Sequence, residues 1–165
     1  MTKINAGRMT HHHEGELVVF HIGMQINRWW RPDLWLPAFF AMPRMLRELS
    51  RDEDSGFLGY ELLLGRGGPY VVQYWSSVPK LYAYASAPAQ EHRPAWTAFN
   101  KAARRAPGAV GVWHETFLVE RAESIYVATR EMGLAKATAL AEVGRRGDRA
   151  QARFEQGRTI AGATR

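Results

Sequence analysis

Cysteine is absent from all 165 residues. That absence removes disulfides, thiolate metal sites and cysteine nucleophiles together, and it fits a reducing compartment, so a cytoplasmic location is expected. Long apolar runs are also missing. The longest, residues 34–42, is interrupted by Pro37 and falls well short of the roughly 20 residues that a membrane-spanning helix needs. The first 15 residues are polar, include His11, His12 and His13, and lack the apolar core of a secretory signal. They are expected to form a flexible N-terminal segment. No zinc-ligand spacing, P-loop, Rossmann glycine pattern, nucleophile elbow or ordered serine–histidine–aspartate set occurs, and no metal site is expected. Internal repeats and low-complexity segments are lacking too.

What is present suits one folded domain. Hydrophobic residues make up 46% and aromatic residues 12% of the chain, which is too much apolar surface for a disordered protein. The net charge of +6 would hint at nucleic acid if it were spread over a folded surface. Most of it sits instead beyond Gly144, where Arg145, Arg146, Arg149, Arg153, Arg158 and Arg165 face only Asp148 and Glu155, a net +4. That pattern reads as a solvated basic tail. Neither nucleic acid nor a membrane is an expected partner.

Residues 17–27 alternate with period two, placing Phe20, Ile22, Met24 and Ile26 on one face and Val19, His21, Gly23, Gln25 and Asn27 on the other. This is a strand. A helix follows over residues 34–49, with a kink or break expected at Pro43. Residues 57–64 and 69–75 are two strands joined by the hairpin Gly65-Arg66-Gly67-Gly68. Ser77 is positioned to cap a short helix running to about Ala85, and residues 91–105 form another, ending at Pro107-Gly108. Residues 109–119 read as a strand, 124–128 as a short extra one, and 134–143 as an amphipathic helix. The order is β-α-β-β-α-β with a C-terminal extension, an α+β ferredoxin-like plan. The domain is expected over residues 16–130, with a helical arm and basic tail over 131–165. One sheet face in this plan packs on both helices and the other is bare, so a homodimer closed sheet to sheet is expected.

The apolar set of the first strand should meet the helices, which turns His21, Gln25 and Asn27 to the bare face. The same reasoning assigns Glu61, Gln73 and Trp75 to that face, together with either His114 or Glu115 and with Trp113 near them; the last strand's register is open. An unpaired buried polar group costs roughly 1–3 kcal/mol. Such a set is therefore either a satisfied network in a barrel interior or a functional pocket. His92 and Trp96 lie one helical turn apart, as a surface pair or as a haem ligand and its neighbour.

Residues 18–27, Met42 to Leu49, Leu58-Gly59-Tyr60, Gln73-Tyr74-Trp75, His92 to Phe99 and Trp113 to Thr116 together resemble a monooxygenase-like family of the dimeric α/β-barrel superfamily, typified by a fungal enzyme that cleaves the fumagillin polyene. The resemblance covers about Gly15 to Tyr126 and leaves out the arginine-rich end. It implies a dimeric α/β barrel and a small monooxygenase acting without cofactor on a hydrophobic, polyketide-like or aromatic metabolite and dioxygen. His21 or His114 would then be the general base, with Asn27 and Gln73 donating to an anion or peroxide. Gln25, Glu61, Trp75, Trp96 and Trp113 would line the substrate. Two other readings stand beside it: a haem enzyme with His92 or His114 as axial ligand, and a noncatalytic ligand-binding module.

Overall fold

The computed structural model describes residues 4–87 and 92–157, with the side chains of 92–95 and 98 left aside. Its main sheet contains β2 (Leu17–Ile26), β3 (Phe57–Gly65), β4 (Gly68–Trp75) and β5 (Val110–Val119), in the spatial order β3-β4-β2-β5, antiparallel throughout. Helix α1 (Pro32–Leu49) connects β2 to β3, and α2 (Val78–Ser86) with α3 (His92–Arg105) connects β4 to β5. The central strands β2 and β4 are thus each followed by a helix that crosses to an outer strand, which is the ferredoxin-like topology expected from the sequence.

Helix α1 is one continuous helix with Pro37 and Pro43 inside it, so of the kink or break expected at Pro43 the break does not occur. Both prolines lie on the exposed side, where the carbonyl each leaves without an amide partner faces solvent rather than the core. Ser77 caps α2, its hydroxyl accepting from the Lys80 amide at 3.3 Å. The helices press on the sheet through two clusters. Met24, Ile26, Leu34, Ala106, Ala109 and Val110 form one. Val18, Leu49, Trp75 and Leu81 form the other, with Phe20 and Phe57 against it.

A second sheet departs from expectation. The N-terminal segment expected to be flexible contains β1 (Asn5–His12), the central strand of a three-stranded sheet flanked by β6 (Tyr126–Thr129) and β7 (Ala139–Glu142). Nor is the stretch 134–143 one helix. It divides into α4 (Gly133–Ala137) and β7, because Ala139, Leu140 and Ala141 pair with His12, His11 and Thr10. The basic tail is also anchored. Arg153, on α5 (Ala150–Gln156), is only 8% exposed. Its Nε and Nη2 reach Glu123 Oε1 at 2.7 and 2.5 Å, and its Nη1 donates to the Gly147 carbonyl at 2.8 Å. A buried guanidinium with this many acceptors clamps the C-terminal segment onto the loop before β6.

Candidate functional site

Strand register divides the polar residues between the two faces of the main sheet. Directly opposed residues share a face, so Tyr60, Gln73, Phe20 and Thr116 form one row across the strands, with Leu62, Val71, Ile22 and His114 beside it. Phe20 and Trp75 pack on the helical core, so these rows face the helices. The other face carries the rows Glu61, Val72, His21, Glu115 and Leu63, Tyr70, Gly23, Trp113. Gln73, Trp75 and His114 therefore do not share a face with His21, contrary to the expected grouping of Gln73 and Trp75. The cause is register. Trp75 opposes the fully buried Val18, and a bulge between Phe57 and Gly59 changes the alternation of β3. The choice left open on the last strand goes to Glu115 as the companion of His21.

On the helix side, Trp75 is fully buried and its Nε1 donates to Gln73 Oε1 at 3.0 Å. Phe57 meets the indole edge to face, with ring centroids 5.2 Å apart. Gln73 is 6% exposed. Its amide nitrogen, which carries two donors, has no acceptor among the described residues. The helical cover thins towards β5: Val110 is buried, Thr116 half-buried, and His114 and Leu118 open. Phe20 and Ile22 are only half-buried although they lie on a central strand. Phe20 stands 5.6 Å from the His114 ring. Side chains thus run from an exposed imidazole, across Phe20 and Ile22, to a buried amide whose donors are unpartnered among the described residues.

The opposite face is built differently. His21 Nδ1 lies 3.9 Å from Glu115 Oε2, both partly in solvent, and Phe117 meets the His21 ring edge-on at 5.4 Å. Trp113 lies over Gly23, where an added Cβ would stand 2.5 Å from the indole, and Tyr70 borders it at 6.0 Å. Leu63, Trp113 and Phe117 remain exposed. Helix α4 covers the β3 side of this face. Gly133 N donates to Glu61 Oε1 at 2.8 Å, Lys136 stands 3.6 Å from the same oxygen, and Ala137 lies where a side chain on Gly59 would point. Glu61 is on its expected face, but its carboxylate is engaged by α4. Burial, with Tyr126 and Glu61 nearby, pushes the Tyr74 phenol up to about 12, so this hydroxyl stays protonated.

The remaining expected site residues lie apart. Asn27 Nδ2 donates to the Gly108 carbonyl at 2.9 Å and ties down the loop before β5, away from His21. Gln25 is exposed beside the β3–β4 turn at Gly67. Trp96 is exposed on α3, stacked on Phe99 at 5.4 Å. The side chain of His92 lies outside the described residues. His11, His12 and His13 line a cavity of about 330 Å³ with Glu123 and Arg153, and burial lowers the His11 pKa. No group of three or more histidine or acidic side chains among the described residues is arranged to hold a metal. Phe20, Tyr60 and Thr116 on the helix side, and Tyr70 and Phe117 on the other, went unassigned because only cross-strand register brings them to these positions.

Comparison with known proteins follows the main sheet. The family model described as "Monooxygenase af470-like" matches residues 17–134. A curated relative, Monooxygenase af470 from Aspergillus fumigatus, is 31% identical over 128 residues, which is 69% of this chain and 43% of the relative. The chain thus spans less than half of that relative's length. Among solved structures, it is similar to SnoaB, a cofactor-independent oxygenase from Streptomyces nogalater, with a TM-score of 0.46 and 16% identity over 66% of this chain and 97% of that one. A putative antibiotic biosynthesis monooxygenase from Caulobacter crescentus gives a TM-score of 0.42 and 16% identity over 62% and 89% of the two chains. The match over residues 17–134 covers the whole ferredoxin-like sheet, and the chain belongs to the monooxygenase af470-like family.

Proposed function

We propose that the protein is a small monooxygenase that oxidises a hydrophobic, polyketide-like or aromatic metabolite without a cofactor, on the helix side of the main sheet between His114 and Gln73. The observation that carries this reading is the Gln73 amide, buried against Trp75 with its nitrogen unpartnered among the described residues. A buried donor without an acceptor is costly. A substrate oxygen that becomes anionic during reaction is a suitable acceptor, and the donor gains most as that charge develops.

His114 takes a proton from an activated substrate methylene, a role that histidine suits near neutral pH. The carbanion passes electrons to dioxygen and forms a hydroperoxide. Loss of water then leaves a carbonyl, with one oxygen atom in the product and the other in water. Gln73 holds the substrate oxygen, while Phe20 and Ile22 supply an apolar floor. The opposite face is the homodimer surface in this reading, where Trp113, Phe117 and Leu63 meet a second copy around the His21–Glu115 pair.

The test is oxygen uptake with a panel of anthrone-type and polyene substrates. Gln73→Leu keeps the volume and removes the donors, but it also strands the buried Trp75 N–H, so it is expected to cost about 1–3 kcal/mol of stability and, in the folded fraction, to lower turnover by about 10²-fold. His114→Gln is expected to lower it comparably. If both variants turn over like the parent, the site is elsewhere. Haemin titration addresses the haem reading, and no Soret shift is expected.

A further inference from the structure

The end of the main sheet where β2 and β3 finish and β4 and β5 begin gathers cations from three separate segments. Arg28 and Arg31 lie in the loop after β2, Arg66 in the β3–β4 turn, and Lys101, Arg104 and Arg105 in the second half of α3. Backbone bonds hold these segments together. The Ile26 amide donates to the Gly67 carbonyl at 2.7 Å, and the Asn27 and Arg28 amides donate to the Ala109 carbonyl at 2.9 and 3.1 Å. All six cationic side chains are exposed.

Residues 24–35, 64–69 and 100–111 include one acid, Asp33, so this end carries a net +5. Arg31 holds Asp33 through two contacts of 2.8 Å. That bond, with Arg105 nearby, keeps the Asp33 carboxyl below its ordinary range. Arg28, Arg66, Lys101, Arg104 and Arg105 have no hydrogen bond or ion pair to a carboxylate among the described residues. Glu48 and the acidic turn at residues 52–54 lie at the other end of α1. From Asp33 to Glu48 is roughly 22 Å at 1.5 Å per residue, well beyond the ~8 Å screening length of physiological salt. Sequence alone placed the positive excess in the C-terminal segment. A folded surface carries as much, which is the condition under which charge points to nucleic acid.

A second feature narrows the partner. Trp29 and Trp30, between Arg28 and Arg31, are 50% and 73% exposed. The Trp35 indole donates to the Trp29 carbonyl at 3.3 Å and meets the Trp29 ring at 5.7 Å. The loop is thereby held while the Trp30 indole stays open, and an open indole stacks on an unpaired base of any identity. Protein–protein interfaces are depleted in charge at their centres, whereas nucleic-acid interfaces are far more positive. Here six cations surround two indoles.

We infer that this end of the sheet binds single-stranded nucleic acid, with Arg28, Arg66, Arg104 and Arg105 meeting phosphates and Trp30 stacking on a base. Met24, Ile26 and Val110, all buried, separate it from His114, and the inference does not depend on the reaction assigned above.

Fluorescence anisotropy of the full chain with a fluorescein-labelled oligothymidine of about 12 nucleotides, a length within the usual range of single-strand sites, tests it. Saturable binding is expected. Its log K should fall against log salt with a slope of about −3, from roughly −0.7 per phosphate over four contacts. Arg104→Gln with Arg105→Gln should weaken binding at least ~10-fold and reduce that slope by about 1.4. Trp30→Ser should weaken binding about 10-fold and leave the slope unchanged. Arg145→Gln with Arg146→Gln, in the C-terminal segment, should bind like the parent. All these side chains are exposed, and circular dichroism checks that each variant folds. Failure of the parent to bind overturns the inference. So does binding lost in the C-terminal variant and kept in the Arg104 and Arg105 variant. Equal affinity for a duplex of the same length would remove the stacking role and overturn it too. Displacement of the oligonucleotide by poly-glutamate at equal charge would make this end a docking surface for an acidic protein, and would also overturn it.

Discussion

The two faces of the main sheet carry similar residues, each having a histidine, a tryptophan and further polar and aromatic groups, but they meet different surroundings. On the helix side Trp75 is sealed, and Gln73 is desolvated with its amide nitrogen unpartnered among the described residues. On the other, Trp113 and the His21–Glu115 pair remain in contact with water. Water satisfies a half-exposed ion pair, which contributes little to stability. It does not satisfy a buried amide so readily. The difference teaches that the same residue types indicate ligand chemistry where solvent is excluded, and association where an apolar surface is left open.

The contrast is broken most severely through the two tryptophans. Trp75→Ala is expected to cost about 3–5 kcal/mol, because it empties a fully enclosed position; urea denaturation measures it. Trp113→Ala should change monomer stability by less than about 1 kcal/mol, since the ring is already partly solvated. An equal loss for both would mean that the faces do not differ as described. A smaller effect, on association, is expected from Gly23→Ala. Its new Cβ would stand 2.5 Å from the Trp113 ring and force the indole to swing away. In the homodimer proposed above, sedimentation should then report dissociation at about ten-fold higher concentration, equivalent to about 1.4 kcal/mol.

How legible this was from sequence depends on range. The β-α-β-β-α-β order rests on local periodicity, glycine turns and caps, and it is the order of the main sheet. The distribution of β2 was legible because Phe20, Met24 and Ile26 are plainly more apolar than His21 and Gln25. It failed on β4, where Val71, Gln73, Trp75 and Tyr70, Val72, Tyr74 are nearly equivalent alternations and only pairing with Val18 chooses between them. The second sheet was invisible for a related reason. Strand β1 is Asn-Ala-Gly-Arg-Met-Thr-His-His, with no alternating apolar face, and its partners lie more than 100 residues away. Arg153 likewise reads as tail until Glu123 is brought to it.

A subtler difference lies within the bare face, between its α4-covered and open parts. Gly59 has φ +158°, and a Cβ there would stand 3.0 Å from Ala137 Cα. Gly59→Val should lift α4 and accelerate amide exchange at Gly133 and Ala135, whose N–H groups donate to Glu61 and Tyr126. Amides of β2 should be unchanged. Uniform acceleration would mean that α4 is part of the core rather than a cover.

The smallest effect separates the second sheet from the main one by pH. Burial first, then His13 and His12, lower the His11 pKa, and Glu123 opposes them; its Nδ1 lies 2.7 Å from Ser124 Oγ. The folded chain therefore takes up this proton less readily than the unfolded chain, whose histidine titrates near 6.5. Its contribution is fully present above that value and declines as pH falls from 6.5 towards the lower folded value. Between pH 7.5 and pH 5.5, protection of the β1 and β7 amides, corrected for the intrinsic pH dependence of exchange, should fall slightly more than that of β2 and β4, and His11→Gln should abolish that excess. Because His11 is only half-buried, solvent screens much of the effect. An excess that persists in His11→Gln would assign the pH response to another group.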